Sequence, residues 1–493
     1  MNYKAVAKTL GYVLQIEAVL MLLPSAVSVI YREISGVWIF SVAVAAFLIG
    51  ALLRYLGRNA ERSYSREGFV IVGLSWIVMS LMGALPFTLS GAIPSYIDAL
   101  FETISGFTTT GSSILTDVEA MDHGLLFWRS LTHWIGGMGI LVFMLAVRPS
   151  GSTRADDVYL MKAESPGPQV EKMVPRLRAT AGILYKIYFA LTVAEFLILL
   201  ICGMAAFDAI CITFGTAGTG GFGVLNTSIA SYTTVQQIVI GIFMLLFGVN
   251  FNIYYLLLIR QMTGVFHSEE LRAYLTIILA STVIITLNIY RFAAALYSSL
   301  GETVKIVFVQ VTSIMTTTGF GITDFEVWPE MSRLILVLLM FCGASAGSTG
   351  GGLKVSRVLI GCKIVKNELQ KLLHPRSVKQ IRMDGKNISN EVATLTGAYF
   401  IVYMLIFVVS AFIVSLDNFD LITTTTAVAA TFNNIGPGLG VCGATWNYAS
   451  FSVLSKFVMM FDMLAGRLEI FPMLLIFSPS VWRHKKRADR SML

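Results

Sequence analysis

The sequence predicts an all-α polytopic membrane protein in which two N-terminal transmembrane helices precede four tandem helix–pore helix–helix repeats in pseudo-fourfold arrangement. Hydrophobic residues make up 56% of the chain and charged residues 13%, with a mean hydropathy of +0.74, against roughly 25% charged residues in soluble domains. A bilayer core about 30 Å thick takes about 20 apolar residues per helix, and the chain supplies roughly ten such runs. A short segment then recurs four times: TTTG at Thr108 to Gly111, GTGG at Gly218 to Gly221, TTTG at Thr316 to Gly319 and NNIG at Asn433 to Gly436. The glycines are separated by 110, 98 and 117 residues, and each segment follows a short apolar run and precedes a longer one.

The net charge of +7 does not point to nucleic acid, because the basic residues alternate with the spans. Lys4 and Lys8 precede span one, and Arg54, Arg58, Arg62 and Arg66 follow span two. Further basic stretches run from Arg148 to Arg178, at Arg260 and Arg272, from Lys354 to Arg382 and from Arg483 to Arg490. The alternate loops, with Asp117, Glu119 and Asp122 or with Asp324, Glu326 and Glu330, are acidic. The positive-inside rule therefore puts both termini in the cytoplasm of a multi-pass plasma-membrane protein. Lys4 and Lys8 before an apolar run imitate a secretory signal, but the run's length and the span just after it favour an uncleaved helix.

In order, the leading helices are expected at Tyr12 to Ile30 and Val37 to Tyr55. Glu17 in the first is either a functional acid or a side chain that snorkels or pairs near the membrane surface. Each repeat then reads as an outer span, a short re-entrant pore helix, the glycine-bearing loop and an inner span. The pore helices are expected at Ile97 to Phe107, Phe207 to Phe214, Val304 to Met315 and Phe419 to Phe432, about 15 to 20 Å long and too short to cross. The inner spans are expected at Leu125 to Val147, Val235 to Ile259, Leu334 to about Lys354 and Phe451 to Phe477. The divisions are 1–66 for the leading helices, 67–150 for repeat one, 151–180 for a cytoplasmic linker and 181–262 for repeat two. They continue as 263–358 for repeat three, 359–390 for a second linker, 391–480 for repeat four and 481–493 for a basic cytoplasmic tail.

Non-helical backbone lies at membrane depth only where it is buried in protein or lines water. A pore helix that aims its partly negative C-terminus at the membrane centre favours a cation there. The loop after it can then turn carbonyl oxygens into an axial hole, where they replace a cation's hydration shell. Glycine at the fourth position takes positive φ without steric cost and keeps the lumen clear. The candidate cation-binding residues are accordingly Thr109, Thr110 and Gly111; Thr219, Gly220 and Gly221; Thr317, Thr318 and Gly319; and Asn434, Ile435 and Gly436. Neutral carbonyls suit potassium, whereas divalent ions call for carboxylates, of which the loops hold none. A helix-packing seam explains one Gly/Thr run, but not four in register.

These residues resemble the Trk/Ktr/HKT superfamily of potassium transporters, and most closely its TrkH branch. The segments that carry the resemblance are FETISGFTTTGSS (Phe101 to Ser113), HWIGGMGI (His133 to Ile140), AESPGP (Ala163 to Pro168) and GTAGTGGFG (Gly215 to Gly223). With them go GASAGSTGGGLKVSR (Gly343 to Arg357), NNIGPGLG (Asn433 to Gly440) and GRLEIFP (Gly466 to Pro472). The resemblance implies a pseudo-fourfold pore of ten spans, a homodimer, and control by a cytosolic nucleotide-binding partner with RCK domains, similar to TrkA. In that family a serine at the first filter glycine accompanies sodium permeation, so Gly111 implies potassium selectivity. The loops are unequal all the same, with Gly220 and Ile435 where repeats one and three have threonine.

The inner span of repeat three is interrupted by GASAGSTGGG, Gly343 to Gly352. Each glycine costs a helix about 1 kcal/mol against alanine, so this run is expected as a loop inside the protein below the filter, with a flexible cytoplasmic linker as the alternative. The resemblance makes Gly343, Ala344, Ser345, Ala346, Gly347 and Ser348 a gate, together with Arg467 as the arginine beneath the filter. Lys456 and Arg467 lie about 20° apart around the last span and about 16 Å apart along it. A structural ion pair of Arg467 with Asp462 or Glu469 is the other option, and Lys456 has Asp98, Glu102, Asp208 or Glu302 as candidate partners. Lys186 and Glu195 fall on opposite helix faces, and His133 reads as a packed, hydrogen-bonded residue in preference to a proton relay.

Potassium uptake through a channel-like pore is thus the expected function, with potassium the transported ion and no organic cofactor. A sodium- or proton-coupled potassium symporter of the same fold is the alternative. No HExxH, GxSxG, GxGD or Walker A pattern suggests an enzyme. A receptor would need an output domain, and Lys354 to Arg382 is better suited to docking a partner. The cysteines, Cys202, Cys211, Cys342, Cys362 and Cys442, form no CxxC motif and mostly sit in apolar runs as small hydrophobes.

Overall fold

The computed structural model describes residues 1–59, 65–139, 177–375 and 380–482. Ala163 to Pro168, most of the Arg148 to Arg178 linker, Arg62, the end of the first inner span beyond residue 139 and the basic tail from Arg483 lie outside the described residues. The first leading helix runs from Tyr3 to Leu20 and continues as Leu22–Tyr31, and the second is Ser35–Leu56. They meet where neither has a side chain: a Cβ on Gly11 would sit 2.5 Å from the Gly50 carbonyl oxygen. Glu17 does not snorkel. It is fully buried, close to Gly83 of repeat one.

The outer helices are Ser65–Gly83 with the short Leu85–Leu89, then Leu177–Ile201, Glu269–Phe292 and Asn390–Val414. Among the described residues, six helices are long and apolar enough to cross a membrane, namely the two leading and the four outer ones. Leu279, Leu287, Ile401 and Phe412 on the outer helices are well exposed, as a lipid-facing surface requires. Lys186 is exposed and Glu195 buried on their shared helix, on opposite sides as the spacing predicts.

The pore helices are Tyr96–Phe107, Ala206–Gly218, Leu300–Met315 and Leu421–Phe432. Three of them start on a side-chain cap, with Ser95 Oγ, Ser299 Oγ and Asp420 Oδ2 accepting from the amides of Asp98, Glu302 and Thr423. Such caps satisfy amides that have no partner inside the helix.

The repeat-three break falls on the expected Gly343 to Gly352 loop, whereas the breaks in repeats two and four correct the expectation of single inner spans. Repeat two has Thr234–Phe247 and Phe251–Leu258, bent by 87°. Asn250 opens the second piece by accepting the Asn252 amide through its side chain, while the Phe251 amide donates to the Gly347 carbonyl of the interrupted repeat-three span. Repeat three has Glu330–Cys342, the non-helical stretch after it, and a new helix Val355–Leu373 that crosses the expected 358/359 division. Repeat four has Val453–Arg467 and Ile470–Ile476, parted at Glu469 with φ of +65°. Hydropathy cannot see the breaks in repeats two and four, because the partners that stabilise them come from other repeats. A two-stranded ribbon, Arg382–Met383 with Lys386–Asn387, lies in the second expected linker.

Candidate ion-conduction site

All four recurring segments follow directly on the C-termini of the pore helices and take one backbone course. The second residue of each is left-handed: Thr109 at +55°, Thr219 at +55°, Thr317 at +59° and Asn434 at +55°. So is the fourth: Gly111 at +81°, Gly221 at +77°, Gly319 at +82° and Gly436 at +97°. The third amide donates back five residues in every repeat, from Thr110 to Ser105, Gly220 to Gly215, Thr318 to Ser313 and Ile435 to Ala430, over 2.8 to 2.9 Å. A helix closing on a left-handed residue with such a six-to-one bond is a Schellman-type end. It turns the chain back on itself and leaves the carbonyls beyond it without helical partners.

The segments close into a ring. A Cβ on Gly111 would collide with the carbonyl of Gly220, one on Gly221 with Thr318 and one on Gly319 with Ile435, while one on Gly436 would lie 2.8 Å from the carbonyl oxygen of Thr110. Each fourth-position glycine thus borders the third-position carbonyl of the next repeat, in the order one, two, three, four and back to one. The threonines, Asn434 and Ile435 of these segments are buried. A cavity of about 180 Å³ with Gly111, Gly221, Gly319 and Gly436 in its lining lies on the side of the acidic Asp117 loop, together with Ser112, Thr116, Val118 and Tyr448.

The quarters are not equal. Hydroxyl pairs Thr108–Thr110 and Thr316–Thr318, 2.8 and 2.7 Å apart, recur in repeats one and three only. In repeat four the Gly436 carbonyl accepts from Tyr448 Oη at 2.7 Å and Ser112 Oγ at 3.3 Å. Its lone pairs are turned to protein donors, which leaves it less to offer an ion.

Beneath the ring, Gly343 to Gly352 lies within the protein against repeats three and four. The Gly351 amide donates to Thr317 Oγ1 at 2.7 Å, and a Cβ on Gly350 would come within 2.9 Å of the Thr316 carbonyl oxygen. Ser345 N donates to the Gly248 carbonyl at 3.1 Å, and Ala346 N to the buried carboxylate of Glu270 at 2.7 Å. Ala344 accepts from Val355 N, Gly347 from Phe251 N, and Ser345 O from Ser348 Oγ. A linker in the cytoplasm would have no such anchors.

Arg467 joins this stretch to the opposite side of the ring. Its Nη1 donates to Thr349 O at 2.5 Å, and its Nη2 to Gly136 O and Gly137 O at 2.6 and 2.5 Å. Thr349 belongs to repeat three and Gly136 to repeat one, the two ring neighbours of repeat four, so the Arg467 side chain ties three repeats together. Glu469 instead pairs with Arg357, and Asp462 accepts from Ser410 Oγ at 2.8 Å. Lys456 pairs with Asp98 at 2.6 Å.

The family described as TrkH, cation transport protein, matches residues 36–484. The Trk system potassium uptake protein TrkH of Salmonella typhimurium is 36% identical over 488 residues, covering 98% of this chain and 100% of that protein. The chain belongs to the TrkH family. TrkG of Escherichia coli, also named as a Trk system potassium uptake protein, is 31% identical over 487 residues, 98% of this chain and 99% of that one. The crystal structure of the potassium transporter TrkH from Vibrio parahaemolyticus superposes with a TM-score of 0.86 at 31% identity, over 98% of this chain and 100% of that chain.

This TrkH-family ring also rests on Arg129, which the sequence reading does not single out. Arg129, buried in the first inner helix, donates from Nε to Glu102 Oε1 at 2.6 Å and from Nη1 to the Gly223 carbonyl at 3.0 Å. Its guanidinium stacks 3.5 Å above the Phe222 ring. Glu102 also accepts from Ser113 Oγ and the Ile114 amide, both at 2.9 Å, so one ion pair holds the exits of loops one and two. An arginine inside a span was the available signal, since such a charge must pair or face water. His133 adds a second tie: Nε2 accepts the Phe222 amide at 3.2 Å, so Nδ1 carries the proton it donates to the Gly106 carbonyl at 2.8 Å. Its place is that of a packed crosslink.

Glu102→Ala is expected to cost about 3–5 kcal/mol, because it strands Arg129 as a buried charge. A lowered unfolding midpoint of the purified protein, partly restored in Glu102→Ala/Arg129→Ala, is the expected result. An unchanged midpoint rules the pair out as support for the ring.

Proposed function

We propose that this chain carries potassium uptake across the plasma membrane through a channel-like pore whose four loops form a carbonyl selectivity filter. The single observation that supports it best is the closed ring of left-handed segments, each fourth-position glycine against the next repeat's third-position carbonyl. Neutral oxygens gathered at the negative ends of four pore helices can replace the hydration shell of a large monovalent cation, and the relatives are named for potassium uptake. The Gly343 to Ser348 segment and Arg467 serve as the closed barrier. A cytosolic nucleotide-binding RCK-type subunit, similar to TrkA, opens it, and the chain acts as a homodimer with both termini in the cytoplasm. Tyr3 Oη donates to the Trp482 carbonyl at 3.0 Å, which puts the start of the chain beside the end of the last helical stretch and favours termini on one side.

Expression in a host lacking its own potassium uptake is expected to restore growth at low potassium when the RCK-type subunit is present. In proteoliposomes, rubidium influx is expected to be indifferent to external sodium or pH. Failure of rescue by inserted protein counts against potassium transport, and influx that requires sodium or acid reassigns the mechanism to symport.

A further inference from the structure

The basic ends of the two leading helices border an open cavity of about 350 Å³ lined by Lys8, Tyr12, Gln15, Arg54, Tyr55 and Arg58 among others, with no acidic residue among the described residues of its lining. It is a built feature. Gly11, Gly50 and Gly57 let the two helices touch backbone to backbone, for a Cβ on Gly57 would meet Lys4 O and the Lys8 backbone. The larger side chains beside these contact points then frame the opening. Arg54 is held in place by a 2.5 Å bond from Nη1 to Gln15 Oε1 and by stacking 4.1 Å over the Tyr12 ring, while Arg58 stacks 4.5 Å over Tyr55. Nη2 of Arg54 also donates to Tyr12 Oη at 3.4 Å, and guanidinium groups oriented by ring faces in this way suit the oxygens of a phosphate.

The approach to the cavity is apolar. Phe40, Val44 and Phe47 lie on the same face of the second leading helix as Ala51, Arg54 and Arg58 and are 52%, 42% and 46% exposed. They lead straight to Arg54 and Arg58, and the sequence continues the four-residue spacing of cations at Arg62 and Arg66. A soluble anion has no use for that greasy stripe, and an acyl chain alone has none for three cations. Both halves suit an amphiphile with a negative head.

We propose that this cavity binds the phosphodiester headgroup of an anionic glycerophospholipid through Lys8, Arg54 and Arg58, with the acyl chains along Phe40, Val44 and Phe47. Basic pockets between transmembrane helices on the cytoplasmic side hold such headgroups, and each nearby cation contributes about 1 kcal/mol, or about fivefold in affinity. The site stands outside the four repeats and is independent of the pore assignment.

The test is native mass spectrometry of the full chain titrated with phosphatidylglycerol, against phosphatidylcholine of the same acyl chains. The parent protein is expected to retain phosphatidylglycerol in preference. Arg58→Gln, an exposed position whose loss does not threaten folding, is expected to weaken that binding about fivefold, and Lys8→Gln/Arg54→Gln/Arg58→Gln on the order of a hundredfold. Arg58→Lys is expected to keep most of it. Equal retention of the two lipids, or phosphatidylglycerol binding unchanged in Arg58→Gln and in the triple variant, overturns the proposal. So does displacement of the lipid by millimolar inorganic phosphate, which would make the cavity a site for soluble anions.

Discussion

In liposomes without any cytosolic subunit, the Arg467→Ala protein is expected to pass rubidium about ten to a hundred times faster than the parent chain. Two effects add. The guanidinium bonds three carbonyls belonging to repeats one and three, and a hydrogen bond from a charged group contributes about 1.5–3 kcal/mol. Loss of the Thr349 bond alone shifts a closed-to-open equilibrium by about tenfold or more. A fixed positive charge beneath the ring also repels a permeating cation, and alanine removes it. Arg467→Lys separates the two, since a lysine keeps the charge without the planar fork that reaches both sides, and an intermediate flux is expected. Deleting Ala344 to Ser348, which removes the contacts to Glu270, Gly248 and Phe251, is expected to raise flux in the same sense. Unchanged or lower flux from properly inserted Arg467→Ala protein excludes a barrier at this position.

Gly111→Ser is expected to lower the potassium over sodium permeability ratio about tenfold. At φ of +81° any side chain is strained, but the larger consequence is steric. The new Cβ falls on the carbonyl oxygen of Gly220, one of the ring oxygens, which must swing aside. Discrimination between two monovalent ions is a difference of dehydration against coordination, and about 1.4 kcal/mol of that difference is a factor of ten. Gly321→Ser is the control: a Cβ there meets Ala444 at an ordinary 3.5 Å, and the ratio is expected to hold. Reversal potentials with potassium on one side and sodium on the other give the measurement. A ratio that survives Gly111→Ser removes loop one from the selectivity filter.

The fourfold plan is legible in sequence because its signals are local. Capping residues start most of the short helices, a glycine marks the fourth position of each loop, and basic residues mark one side of the membrane. Other features depend on partners far away in the chain. Nothing in a run of threonines announces that Thr109, Thr219 and Thr317 adopt positive φ, a conformation that β-branched residues avoid. It is imposed by the pore-helix end behind them. The bend of repeat two needs Gly347, about a hundred residues downstream, and the break before Ile470 coincides with the pairing of Glu469 and Arg357. Among four candidate acids, spacing along the chain could not choose Asp98 as the partner of Lys456, nor assign Glu102 to Arg129.

The ring closes within a single polypeptide, and this sets how it can change. In a pore assembled from four identical subunits, one codon alters every wall at once. Here one codon alters one wall. Substitutions at Gly111, Gly221, Gly319 or Gly436 each press on the backbone of one neighbouring loop, so selection can adjust ion preference in small increments and leave the other walls intact while one is tried.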